Sequence, residues 1–184
     1  MHRTTPNRVV LRGILALLVL VLGASAALAQ RGDDSGRRSK NGKLEGTVGG
    51  VEVTMEFGRP KVKDPAGNDR EIWGKLVPYG RVWRTGADEA TTITLSKDAK
   101  IEGQALPTGT YSLFAIPGES EWTLIFNKVA QQWGAFSYDE AQDALRVTVT
   151  PEAAEHVDEL DYQIDGNEVV LRWEKLAVPF EISG

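Results

Sequence analysis

Two arginines, two acids, two large aromatic residues and two glycines fall within residues 77–92. They are Arg81 and Arg84, Asp88 and Glu89, Tyr79 and Trp83, and Gly80 and Gly86. The mixture is too polar for a plain core and too rich in unlike groups for a solvated linker, so this segment is the candidate site. Arg84 carries a planar fork of donors that suits a carboxylate, a phosphate or sugar hydroxyls. Gly86 permits a tight backbone that would return Arg84 towards Asp88 or Glu89. Adjacent acids in an extended strand point to opposite faces, so Asp88 and Glu89 share a substrate only if the segment turns. Arg84 therefore has two possible roles. It pins its loop through Asp88 or Glu89, the role expected first, or it holds a ligand.

Further candidates lie outside this segment. Arg59 precedes Pro60, which cannot donate to a ladder and should end a strand or mark an edge. Arg59 could line the same cleft as Arg84, although a surface position is expected. Tyr79, Trp83, Trp133 and Tyr138, with Trp73 and Phe136, fall outside any clean strand alternation. Loop aromatics stack on sugar faces or line apolar pockets. Most of these are expected to cap the ends of a core, with Trp133 and Tyr138 the exceptions. The ligand-binding candidates are thus Arg84, Asp88, Glu89, Arg59, Tyr79, Trp83, Trp133 and Tyr138.

Several chemistries are disfavoured by composition. There is no Cys, and the two His are His2 and His156, so a zinc site of the usual kind is not expected. A Ser–His–Asp triad would need His156, and no Ser stands in a nucleophile-elbow sequence. No Gly-rich phosphate loop is present. Residues 64–69 are acidic and loop-like but fit no calcium spacing, and a solvated turn is expected. No metal and no cofactor is implied. Paired carboxylates of the glycosidase type stay open, because acids are plentiful, but no pair stands out.

The elements that must position these residues are strands. Val51, Val53, Met55 and Phe57 alternate with Glu52, Thr54 and Glu56, and the same period of two recurs around Ile93, Leu124, Val147, Tyr162 and Leu171. Residues 111–116 are apolar on both faces and should form a central strand. Lys97-Asp98, Glu102-Gly103, Pro107-Thr108-Gly109, Pro117-Gly118 and Asp165-Gly166-Asn167 supply turns. Only residues 128–133 and 151–157 are candidates for short helical turns. The expected fold is all-β: a single antiparallel sandwich or jelly-roll-like domain over residues 43–184. Trp122 and Trp173 fall on apolar strand faces and should be core. Residues 30–42 lack apolar side chains and read as a flexible tether, in which Arg31-Gly32-Asp33 is a chance adhesion-like tripeptide.

Residues 1–29 read as an export signal. Arg3, Arg8 and Arg12 precede a short apolar run, and Ala27-Leu28-Ala29 gives a small-x-small cleavage pattern before Gln30. A retained anchor helix is the less favoured alternative. The leader holds three arginines and no acid, so its removal would take the formal net charge from −5 to −8. That disfavours nucleic acid or anionic lipid as a partner. The product is expected in a periplasm or outside the cell, with no integral membrane segment.

Glu56-Phe57-Gly58-Arg59-Pro60, Ile72-Trp73-Gly74, Leu76-Val77-Pro78-Tyr79-Gly80 and Val82-Trp83-Arg84-Thr85-Gly86-Ala87 together resemble the exported bacterial family known as domain of unknown function 2911. Gly109-Thr110-Tyr111-Ser112-Leu113-Phe114, Trp122-Thr123-Leu124-Ile125-Phe126-Asn127 and Trp133-Gly134-Ala135-Phe136 extend the likeness. The resemblance implies an exported all-β domain and no established activity. Asp88 stands where that family's pattern often has Asn, so the resemblance assigns no carboxylate chemistry to this position. Three functions compete at this level. The first is a non-catalytic envelope domain that binds a small molecule, glycan or partner protein near Arg84. The second is a hydrolase using carboxylates near Asp88 and Glu89. The third is a purely structural interaction module.

Overall fold

The computed structural model describes Met1 and residues 31–184. The expected export signal and its cleavage point lie outside the described residues. Among the described residues ten strands follow in order: β1 (Lys40–Val48), β2 (Val51–Arg59), β3 (Thr91–Leu95), β4 (Ala99–Ile101), β5 (Gln104–Leu106), β6 (Gly109–Ile116), β7 (Trp122–Asn127), β8 (Asp143–Val149), β9 (Glu152–Asp165) and β10 (Glu168–Ser183). They form two antiparallel sheets, β1-β2-β3-β6-β7-β8 and β5-β4-β10-β9. The all-β sandwich read from the alternation is the fold observed.

The core lies between the sheets because alternate residues of each strand face inward. Val51, Val53, Met55 and Phe57 of β2 are buried, as are Leu160 and Tyr162 of β9 and Leu171 and Trp173 of β10. Phe57 meets Tyr162 edge-on at 4.8 Å, and Phe126 meets Phe180 at 6.1 Å, so aromatic pairs join the two sheets. The doubly apolar residues 111–116 fall in β6, which lies between β3 and β7 as its pattern requires. Its inner residues Leu113 and Ala115 join the main core. Its outer residue Phe114 packs with Ile125 and Ala90 in a second, smaller cluster roofed by Val82 and Tyr138.

Neither expected helical turn forms. Residues 152–157 are instead the first half of β9, with Ala153 opposite Leu176 and Val157 opposite Glu174. Glu-Ala-Ala-Glu suits a helix, but the long C-terminal β10 offers a ladder, shifted in register on both sides of Glu174, and pairing overrides local propensity. Residues 128–133 form a loop, tied down where Gln132 O accepts from Ala90 N at 2.9 Å. The helical element among the described residues is a short 3-10 turn, Glu140–Gln142, capped by Asp139. β1 begins at Lys40, so the last residues of the expected tether are paired with β2, Lys40 opposite Arg59.

Gly58 explains how β2 carries the candidate loop. A methyl group there would meet the carbonyl oxygen of Ala87 at 2.3 Å, so loop and strand touch backbone to backbone. Gly86 is confined less tightly, with Thr91 Oγ1 and Gly58 O at 2.9 and 3.0 Å from a methyl position. Gly58→Ala is expected to destabilise the protein by about 1–3 kcal/mol, the usual cost of forcing volume into a packed contact. Thermal unfolding measures it, and a variant as stable as the parent would mean the loop can lift off β2 freely.

Candidate functional site

The site is built outward from Trp83. Its N–H and C=O pair with Ala115 on β6, both at 2.8 Å, which anchors the entry to the loop. Thr85 follows with φ of 50°, uncommon for a β-branched residue. Its Oγ1 donates to Leu113 O at 2.9 Å. Its carbonyl accepts from Thr91 Oγ1 at 3.0 Å and from the Tyr162 hydroxyl at 2.9 Å. Such a conformation persists only where the surroundings over-determine it. Here β3, β6 and β9 each supply one bond, so the base from which Arg84 projects is fixed by both sheets. Burial raises the Tyr162 phenol well above its ordinary pKa, and its bond to Thr85 opposes that shift. Tyr162 therefore serves as a neutral donor.

Arg84 points into a cleft of about 250 Å³ that Trp83, Trp173, Leu76 and Asp88 also line. The guanidinium is partly buried, and its Nε is enclosed without a hydrogen-bond partner. Burial lowers its pKa, and the negative charge of Asp88 works in the opposite direction. Among the described residues Arg84 forms no ion pair. The expectation that it pins the loop through Asp88 or Glu89 is therefore corrected. Asp88 has φ of 62°, a left-handed conformation in which Asp and Asn are enriched, and its carbonyl accepts from Gly134 N at 2.9 Å. That backbone need accounts for the residue type without any carboxylate chemistry.

Glu89 lies on the other side of the turn. Arg37 grips it bidentately, Nη1 to Oε2 at 2.5 Å and Nη2 to Oε1 at 2.7 Å. Arg31 Nη2 reaches Glu89 Oε2 at 3.0 Å and also donates to the carbonyls of Ala87 and Glu89 at 2.7 and 2.9 Å. The pinning role thus exists, but arginines from the segment before β1 perform it. That segment reads as a flexible tether because it lacks apolar side chains, whereas the two arginines tie it to the Glu89 loop. Burial lowers the Arg31 pKa more than Glu89 raises it. Hydrogen bonding to Arg37 is the largest influence on Glu89 and holds its carboxyl below the usual carboxylate range, while burial opposes it.

A carboxylate with a depressed folded pKa contributes stability above its unfolded pKa, about 4.3 for Glu, and that contribution is lost as pH falls through the folded value. Glu89→Gln is accordingly expected to melt below the parent near neutral pH, with the gap closing as pH drops below about 4. Melting temperatures of the two proteins between neutral and acid pH check this. A gap that stays constant would show that the clamp does not depend on charge.

The remaining sequence candidates disperse. Arg59 ends β2 and turns towards β9, with Glu159 at 3.6 Å, Asp161 at 3.7 Å and Leu160 O at 3.2 Å. It does not line the Arg84 cleft. Tyr79 is exposed and also outside the lining. Trp133 is exposed and bridges Glu89, and Phe136 next to it is 88 % exposed. Tyr138 packs edge-on against Phe114 at 5.1 Å on the outer face of the six-stranded sheet. Its hydroxyl donates to Asp143 Oδ2 at 2.7 Å and accepts from Arg146. Burial and the Asp143 carboxylate push its pKa up to about 12, with Arg146 acting against them.

Trp83, Arg84 and Asp88 are the sequence candidates that share the cleft. Sequence reasoning missed Arg38, Arg70 and Trp173, which line it as well. No local motif marks these three, since they lie up to 46 and 89 residues from Arg84 in the chain. No group of three or more His, Cys, Asp or Glu is placed to hold a metal ion among the described residues. The acidic 64–69 loop is closed on itself, Asn68 N donating to Asp64 Oδ1 at 2.9 Å. No helix among the described residues is long and apolar enough to cross a membrane.

No curated protein and no solved structure matches this chain. A family model does. Over residues 39–182, from the first strand to the last and including the whole Arg84 loop, the chain matches the family described as "Protein of unknown function (DUF2911)", and it belongs to that family.

Proposed function

We propose that this domain is a non-catalytic binding protein that takes a small molecule in the cleft around Arg84 and works outside the cytoplasm once its leader is removed. One observation carries the reading. Arg84 is a partly buried cation that forms no ion pair among the described residues, set on a rigid base and lining a cleft. A partly buried cation with no acid paired to it among the described residues favours an anionic group brought from outside the chain. Trp83 and Trp173 give the cleft an apolar floor. Its volume of about 250 Å³ is just below the range of ~300–1,000 Å³ that suits drug-sized ligands, which favours a smaller molecule. Binding is favoured over hydrolysis because Asp88 and Glu89 lie on opposite sides of their turn, and Glu89 is already neutralised by two arginines.

Native mass spectrometry of the exported protein tests this. A small molecule should travel with the parent and be absent from Arg84→Ala, and the polypeptide should begin at Gln30. A ligand retained equally by both proteins would place binding elsewhere, and a retained leader would sink the export reading.

A further inference from the structure

This inference rests on the Arg84 cleft being a binding site and names what it binds. We propose that the ligand is a small organic oxyanion, whose head group is held by Arg84 from within and by Arg38 and Arg70 at the mouth, while an apolar body lies against Trp83 and Leu76.

The charges around the cleft support an anion. Arg38, Lys61, Arg70 and Arg84 line it, against the single acid Asp88, in a chain whose formal net charge is −5. Lys61 is answered by Glu159 at 2.9 Å. Arg38, Arg70 and Arg84 form no ion pair among the described residues. Arg70 is steadied by backbone alone. Its Nε donates to Val62 O at 3.1 Å and its Nη2 donates to Lys61 O, and Nη1 has no hydrogen-bond partner among the described residues. Arg38 makes one long contact, to Lys63 O at 3.4 Å. Burial first, and the charge of Arg38 second, lower the Arg70 pKa, while Asp64 and Asp158 act against them, so the two guanidinium groups stand close enough to repel. Three arginines that form no direct ion pair among the described residues, in one concave site, give a focused positive field. An oxyanion between them would make several charge-assisted bonds at once. The apolar floor argues for an organic molecule rather than a bare hydrated ion.

A phosphate ester and a carboxylate would both satisfy this chemistry. The test compares three ligands with one phenyl body: phenyl phosphate, benzoate and neutral benzamide. Isothermal titration calorimetry of the leaderless protein at low salt is expected to show binding of at least one anion, with benzamide at least tenfold weaker. The stronger anion identifies the head group. Arg38→Ala, at the exposed rim, should weaken the anion about tenfold. Asp88→Asn should tighten it several-fold, because it removes the one acid that lines the cleft and keeps a residue that accepts left-handed backbone. Raised salt should weaken it further.

Benzamide binding as tightly as benzoate overturns the inference, as does an Asp88→Asn or Arg38→Ala protein with unchanged affinity. In those cases Arg84-dependent binding of benzamide would leave the cleft standing as a site. If none of the three probes binds, the oxyanion inference also falls. The cleft itself is then judged by whether Arg84→Ala loses the co-purifying molecule.

Discussion

Trp173→Ala is expected to lower stability by about 3–5 kcal/mol, the range for truncating a buried large aromatic residue. Trp173 is 1 % exposed and lies where four indoles meet. It stacks on Trp83 with centroids 6.0 Å apart and meets Trp73 edge-on at 5.7 Å. Trp122 completes the group, 5.0 Å from Trp73 and 6.1 Å from Trp83. The indole N–H of Trp173 donates to Asp158 O at 3.3 Å, tying β10 to β9. Removing the side chain therefore empties the junction of both sheets and takes away the floor under Arg84. In a domain of ~150 residues, 1 kcal/mol shifts the melting temperature by about 2–4 °C, so a fall of roughly 6–20 °C is expected. Thermal and urea unfolding measure it. An unchanged midpoint would show that the indole contributes little to the core.

Arg84→Ala should behave in the opposite way. Stability should stay within about 1 kcal/mol of the parent, since the side chain has no ion-pair partner to strand among the described residues. Arg84→Met keeps the apolar stem and removes a partly buried charge, and it should be at least as stable as the parent. Binding, in contrast, should fall by about 2–5 kcal/mol, roughly thirtyfold or more, the usual effect of truncating one side of a desolvated charge pair. Arg84→Lys should recover little, because an ammonium lacks the bidentate fork. Calorimetric unfolding and ligand titration of the same three variants separate the two effects. A loss of ~3–5 kcal/mol in Arg84→Ala would instead identify a buried internal partner and restore a scaffold role.

These opposed expectations follow from how differently the two residues could be read. Trp173 was legible because it falls on one face of an alternating run, Val169, Leu171, Trp173, and a strand's two faces are set by a period of two that neighbouring residues carry. For the same local reason the sandwich, the central position of β6, the end of β2 at Pro60 and the turns at Glu102-Gly103 and Asp165-Gly166-Asn167 were all visible. The sequence also showed where the polar density lies, since residues 77–92 do contribute Trp83, Arg84 and Asp88 to one cleft.

The pairing of charges was not visible. Glu89 lies five residues from Arg84 but binds Arg37 and Arg31, 52 and 58 residues away. Arg59 lies near the loop in space through Gly58 but turns to acids on β9, about 100 residues on. Residues 152–157 suited a helix until β10 offered them a ladder. In each case the outcome depends on which strands cross and in what register. An arginine can satisfy any acid within reach, so its own neighbours in sequence do not select the partner. Only the packed sheets bring Arg31 and Arg37 to Glu89, leave Arg84 unanswered, and set Arg38 and Arg70 around it.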